Sequence, residues 1–70
     1  MLVNIEAERS RKQLTKEQIS KELGVTSKTY NGYINGNNPI PSDILLAMVD
    51  MFECSTDYLL GLTEQRRYAR

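Results

Sequence analysis

At 70 residues the chain has room for one small domain and none for a catalytic cleft walled by two lobes. A single cysteine, Cys54, and the lack of histidine exclude an internal disulfide, most zinc sites and every histidine-dependent acyl-transfer triad. Nine basic residues balance nine acidic ones, and 40% hydrophobic against 26% charged residues is the balance of a packed helical globule rather than a disordered tail.

No alternation is sustained long enough for a strand, so an all-α architecture is expected. Leu2, Ile5 and the aliphatic stem of Arg9 mark one weak face of a first helix that must stop near Gln13. Thr15 with Gln18 three residues on is a capping-box pair, and it opens a second helix whose apolar face is Leu14, Ile19 and Leu23. Gly24 ends that helix, because a residue without a Cβ enters the left-handed region cheaply. Thr26 caps a third helix over residues 27–34. In it Tyr30, Tyr33 and Ile34 recur at spacings of three and four and leave Ser27, Lys28, Asn31 and Gly32 pointing elsewhere. A polar turn over residues 35–39 follows, and Pro41, Ser42 and Asp43 open a fourth helix. From residue 44 to residue 52 this helix is apolar everywhere but Asp50, so it is expected to be central and surrounded on most sides. Ser55 or Thr56 caps a short fifth helix containing Tyr58, Leu59 and Leu60, which Gly61 ends. Residues 1–63 then make the domain, and residues 64–70 a charged tail that frays. No stretch approaches the roughly 18 apolar residues of a membrane span, and residues 1–3 lead straight to Glu6 and Glu8, unlike a signal peptide; a cytoplasmic protein is expected.

The charges are unevenly placed. Between residues 9 and 28 six basic residues (Arg9, Arg11, Lys12, Lys16, Lys21, Lys28) meet two acidic ones, whereas residues 43–64 hold five acidic residues and no basic one. The neutral total conceals a basic face and an acidic face. The basic part contains two helices of about eight residues joined by Gly24-Val25-Thr26, the spacing of a helix-turn-helix, in which the second helix protrudes into a major groove and the first crosses the phosphate backbone. Ser27, Lys28 and Asn31 give that second helix the short or flexible polar edge that a groove about 12 Å wide admits. Two short helices alone are a weak sign, since many small bundles contain such a pair.

More specific are the residues themselves: Asn4-Ile5-x-Ala7-Glu8-Arg9, Leu14-Thr15-Lys16-Glu17-Gln18-Ile19, Leu23-Gly24-Val25-Thr26, Tyr30-x-x-Tyr33-x-Asn35-Gly36, Ile40-Pro41-Ser42 and Ser55-Thr56-Asp57-Tyr58-Leu59-Leu60-Gly61. Over about residues 4–63 they resemble the phage-repressor and Cro-like helix-turn-helix family, also called the xenobiotic-response-element (XRE) family. The resemblance implies a compact five-helix, lambda-repressor-like domain that binds double-stranded operator DNA, as a rule as a two-fold dimer, and regulates transcription in the manner of a prophage or mobile-element repressor. Carried over by position, it implies base reading at Ser27, Lys28 and Gly32, beside Asn31 on the same face. Phosphate contacts are implied at Lys16, Thr26, Thr29, Asn37 and Asn38.

Four departures from the family pattern matter. Ser20 replaces the usual Ala in the second helix, and its hydroxyl can bond back to a carbonyl one turn earlier. Ile34 replaces a common Glu, so Arg9 loses its customary partner and is expected either to pair with Glu8 or another nearby acid or to reach solvent; Ile34→Glu should then be tolerated. Gly32 gives up a base-reading side chain and costs the helix roughly 1 kcal/mol relative to Ala. The loop after the third helix lacks the Lys and Arg often found there.

Plainer roles compete for several residues. Tyr30 and Tyr33 suit the core better than base stacking, Cys54 a buried site better than a redox sensor, and Asp57 a helix N-terminus better than catalysis. Arg11 and Lys12 stay open between phosphate and a solvated face. No catalytic residue, metal or cofactor is expected, and an enzyme is the remotest class. The second class is an antitoxin or protein-interaction module with a toxin or antagonist partner, using the acidic residues 43–64 with Tyr58, Leu59, Leu60 and Leu62. Tyr58, Leu59 and Leu62 are also the expected interface of a weak homodimer.

Overall fold

The computed structural model describes residues 1–66 and contains five helices in the order α1 (Val3–Arg11), α2 (Lys16–Leu23), α3 (Ser27–Asn35), α4 (Ser42–Phe52) and α5 (Thr56–Leu59). Local signals set most of the boundaries. The Thr15 hydroxyl accepts from the Gln18 amide at 3.0 Å, and the Gln18 side chain accepts from the Thr15 amide at 2.8 Å, so the capping box at α2 is complete. At the other end Gly24 adopts φ 73°, with its amide donating to Lys21 O at 3.1 Å and that of Val25 to Ser20 O at 2.9 Å. That pair of bonds uses up carbonyls the helix would otherwise leave open and turns the chain sharply into α3. The Ser20 hydroxyl donates to Lys16 O at 2.6 Å, the back-bond anticipated from its small polar side chain. Thr26 and Ser55 cap α3 and α5 by accepting from Thr29 N and Tyr58 N, both at 3.1 Å.

These helices enclose one core, built on Ile5, Ile19, Tyr30, Ile34, Met48, Phe52, Cys54 and Leu59. Its members come from every helix and from the α4–α5 link. The Cys54 thiol donates to Phe52 O at 3.2 Å, and burial pushes its pKa up, which makes it an unreactive core group. No helix among the described residues is long and apolar enough to cross a membrane.

Two expectations are corrected. Helix α4 is not surrounded on most sides: Met48, Val49 and Phe52 are buried, while Leu46 is 62% exposed. Four other short helices lack the surface to wrap it, and its apolar run overstates its burial. Nor does the chain loosen at residue 64. After Gly61 it returns across the α4–α5 junction, where Ser55 N donates to Arg66 O at 2.9 Å. The Arg66 guanidinium donates to both Glu8 oxygens at 3.0 and 2.8 Å and to Phe52 O, at the end of α4, at 2.8 Å. The ordered domain therefore runs past residue 63 to at least Arg66; residues 67–70 of the expected tail lie outside the described residues.

Glu8 is almost wholly buried on α1, and Arg66 is its main partner, with Tyr58 Oη donating from 3.4 Å and Arg11 lying 3.5 Å away. The Arg66 hydrogen bonds, opposed by burial, hold the Glu8 carboxyl below the usual carboxylate range. A carboxyl whose folded pKa is depressed contributes stability that is complete above its unfolded pKa and is lost as pH falls through the folded value. Arg66→Ala should thus cost about 2 kcal/mol at pH 7 in urea unfolding. The loss of stability on acidification from about pH 5 to pH 3 should be shallower in that variant than in the wild type.

Candidate nucleic-acid interface

Helices α2 and α3 and the turn between them form one surface whose geometry follows from their caps. Gly24 and Thr26 set the crossing of the two helices, and the Thr26 hydroxyl, besides capping, donates to Thr29 Oγ1 at 2.9 Å. That closes the N-terminal turn of α3 on itself. Along α3 the division of faces is clean. Tyr30, Tyr33 and Ile34 are buried, whereas Ser27 and Lys28 are exposed and Asn31 is half-buried. Tyr30 and Tyr33 are core residues, as their spacing implied.

What holds α3 outward is a carboxylate on α1. Glu6 Oε2 accepts from Tyr30 Oη at 2.8 Å and from Arg9 Nε at 2.8 Å, Glu6 Oε1 accepts from Arg9 Nη2 at 3.3 Å, and Lys16 Nζ lies 3.9 Å from the same oxygen. Arg9 Nη1 donates to Leu14 O at 2.6 Å, which fixes the link between α1 and α2. One acid thereby joins the first three helices. Burial pushes its pKa up, but the Arg9 and Tyr30 hydrogen bonds and the Arg9 and Lys16 charges outweigh that, and the carboxyl ends below its usual range. Burial and the bond to Glu6 raise the Tyr30 phenol, so it stays a donor throughout the physiological range. Arg9 thus has the acid partner expected of it, and the partner is Glu6, one turn back on its own helix, rather than Glu8. The i, i+3 spacing of Glu6 and Arg9 was the available signal. Glu8 and Arg66 carried none, being 58 residues apart.

The remaining candidates are placed as follows. The Lys16 side chain is half exposed at the start of α2, with its ammonium too far from Glu6 for a close pair. Thr26, Asn37 and Asn38 are exposed and Thr29 is half-buried. Arg11 is exposed but leans toward Glu8 at 3.5 Å, and Lys12 is exposed. Gly32 is a correction: it is buried and has no open edge of its own, because the Asn38 side chain lies over it and would collide with any Cβ placed there. Leu59 is a second correction. It is completely buried in its own monomer, so it has no surface to offer a second chain. Tyr58 is half-buried, and Leu62 is 74% exposed beside the exposed Met1 and Val3.

The profile of a family described as helix-turn-helix matches residues 5–59. The uncharacterized HTH-type transcriptional regulator YobD of Bacillus subtilis (strain 168) is 35% identical over 51 residues, which are 73% of this chain and 46% of that protein. The chain thus spans somewhat under half the length of that relative. No solved structure matches significantly.

Ile34 tests the Glu6 junction. Its side chain is 2% exposed, and every nitrogen of the Arg9 guanidinium already donates to Glu6 or Leu14. A carboxylate at position 34 would enter the core and compete with Glu6 for Arg9, so Ile34→Glu is now expected to be costly rather than tolerated. The substitution should lower unfolding free energy by about 2 to 4 kcal/mol in urea titration. A change under about 0.5 kcal/mol would show that the site can open to water or re-pair Arg9.

Proposed function

The chain belongs to the helix-turn-helix family, of the XRE type, and on that premise we propose that it binds double-stranded operator DNA in a sequence-specific way and regulates transcription. Helix α3 enters the major groove and α2 crosses the backbone. The observation that carries this is the two-sidedness of α3: its tyrosines and Ile34 are sealed in the core while Ser27, Lys28 and Asn31 remain along its outer edge. An α-helix fits a groove about 12 Å wide only when it stands clear of its own domain, and the Glu6 junction supplies that support. Of the basic residues between 9 and 28, Arg9 and Arg11 are turned to Glu6 and Glu8, while Lys16 and Lys28 are exposed at the starts of α2 and α3 and supply the positive charge there. We read the regulation as repressor-type, the mode that resemblance to phage repressors implies, acting in the cytoplasm.

The roles divide by reach. Ser27, Lys28 and Asn31 meet base edges; Lys16, Thr26, Thr29 and Asn37 meet phosphates, with Thr26 and Thr29 placed by their mutual hydrogen bond. Two copies pair through Leu62 with Met1 and Val3, the exposed apolar group at the end of the molecule where α1 begins and α5 ends, and through the half-buried Tyr58. A different class of partner is favoured by one observation, the outer stripe of α4. Asp43, Leu46 and Asp50 are exposed at helical spacing and Glu53 is exposed at the cap that follows, which suits a basic protein surface rather than DNA.

Gel-shift titration on a selected operator, on single-base variants of it and on random DNA tests the DNA reading. Lys28→Ala should cost about 1 to 3 kcal/mol and relax preference at one base pair, because its ammonium reaches guanine O6 and N7. Lys16→Ala should weaken all sequences alike and lower the salt slope by about one unit. Equal losses on operator and random DNA for Lys28→Ala would remove that residue from the reading edge. Sedimentation tests the dimer, whose recognition helices must lie about 34 Å apart on DNA. A monomer both free and on a palindromic site would end the proposal.

A further inference from the structure

Along the outer edge of α3, one position after Lys28 carries no side chain of its own: Gly32, beside Asn31. Residues four apart on a helix are neighbours, so Gly32 stands next to Lys28 along the groove-facing edge. Glycine is the poorest helix former after proline, and here it sits inside α3 with an ordinary helical backbone, so no turn requires it. What requires it is Asn38. The backbone amide of Asn38 donates to Gly32 O at 3.1 Å, folding the loop back onto the helix, and the Asn38 carboxamide occupies the place of a Cβ at position 32. Gly32 is buried as a result, while Asn38 is exposed.

We propose that Asn38 supplies, from the loop, the base-reading group that α3 lacks at Gly32, and that it recognises adenine. This rests on the DNA-binding function proposed above. A carboxamide presents donors and an acceptor side by side, the pattern that pairs bidentately with adenine N6 and N7 in the major groove. The main-chain bond between Asn38 and Gly32 keeps that group at a fixed height on the helix, so it reads a definite base pair next to the one met by Lys28. In this role Asn38 is a specificity residue and not one of the phosphate contacts implied by its position in the family pattern.

The test is selection of binding sites from a randomised duplex library by the wild type, Asn38→Ala and Gly32→Ala, with thermal melts of all three. The wild type should prefer adenine about tenfold at one position beside the Lys28 base pair. Asn38→Ala should lose that preference, keep the rest of the site and bind random DNA as before. Gly32→Ala should lose the same preference without a lower melting temperature, because the new methyl group only has to push aside the far end of the Asn38 side chain. An unchanged selected site in Asn38→Ala, or an equal loss on every sequence, would overturn the inference while leaving the DNA-binding function standing. A wild type that enriches no sequence would overturn both.

Discussion

Helix α1 carries two carboxylates two residues apart, and because an α-helix turns about 100° per residue they leave it in nearly opposite directions. Glu6 reaches Arg9, Tyr30 and Lys16 on the side of α2 and α3; Glu8 reaches Arg66, Tyr58 and Arg11 on the side of α5 and the returning chain. A 70-residue chain with neither a disulfide nor a histidine for zinc has few ways to fix its helices beyond packing. Packing is tolerant of small rotations, whereas a carboxylate with two or three directed donors is not. The gain is in geometry more than in raw stability, since ion pairs away from water recover little beyond what their desolvation costs.

That geometry is what a reading helix needs. Helix α3 has one face in contact with the protein, so a rotation about its own axis would swing Ser27 and Lys28, the proposed base readers, away together. Tyr30 opposes this twice, with its ring in the core and its hydroxyl on Glu6. The Thr26–Thr29 hydrogen bond and the Asn38–Gly32 bond brace the two ends of the same helix, so each part of its outer edge has a local support. The surface proposed to meet DNA is held from beneath by α1 and from the ends by its own flanking turns.

How much of this could be read in the sequence depended on distance along the chain. The caps at Thr15 and Thr26 and the stop at Gly24 were legible because each acts within three or four residues, whereas at α5 two adjacent hydroxyls qualified and the structure selects Ser55 over Thr56. The inward set of α3 was legible from helical periodicity. Helix α4 was misjudged because apolar composition records what could be buried, and only the number and length of its neighbours decide what is; Leu46 is the result. Leu59 and Leu62 look alike as a pair of leucines near the end of the domain, yet the short α5 turns one wholly inward and the chain after Gly61 leaves the other outside. Gly32 was recognisable as a missing side chain but not as a seat, since that requires knowing where the loop returns.

The union of Glu8 with Arg66 spans 58 residues, while α2, its turn and α3 are built from contacts close in sequence. Loop-closure entropy makes the distant contact late and the local ones early on the way to the native state. On that ground the α2–α3 pair is expected to take shape before the clamp that joins α1 to the chain after α5. A clamp absent from the folding transition state leaves the rate of folding almost unaltered and acts on the rate of unfolding instead. Arg66 is in that sense a brake on the native state's escape, setting how long the assembled domain lasts once formed.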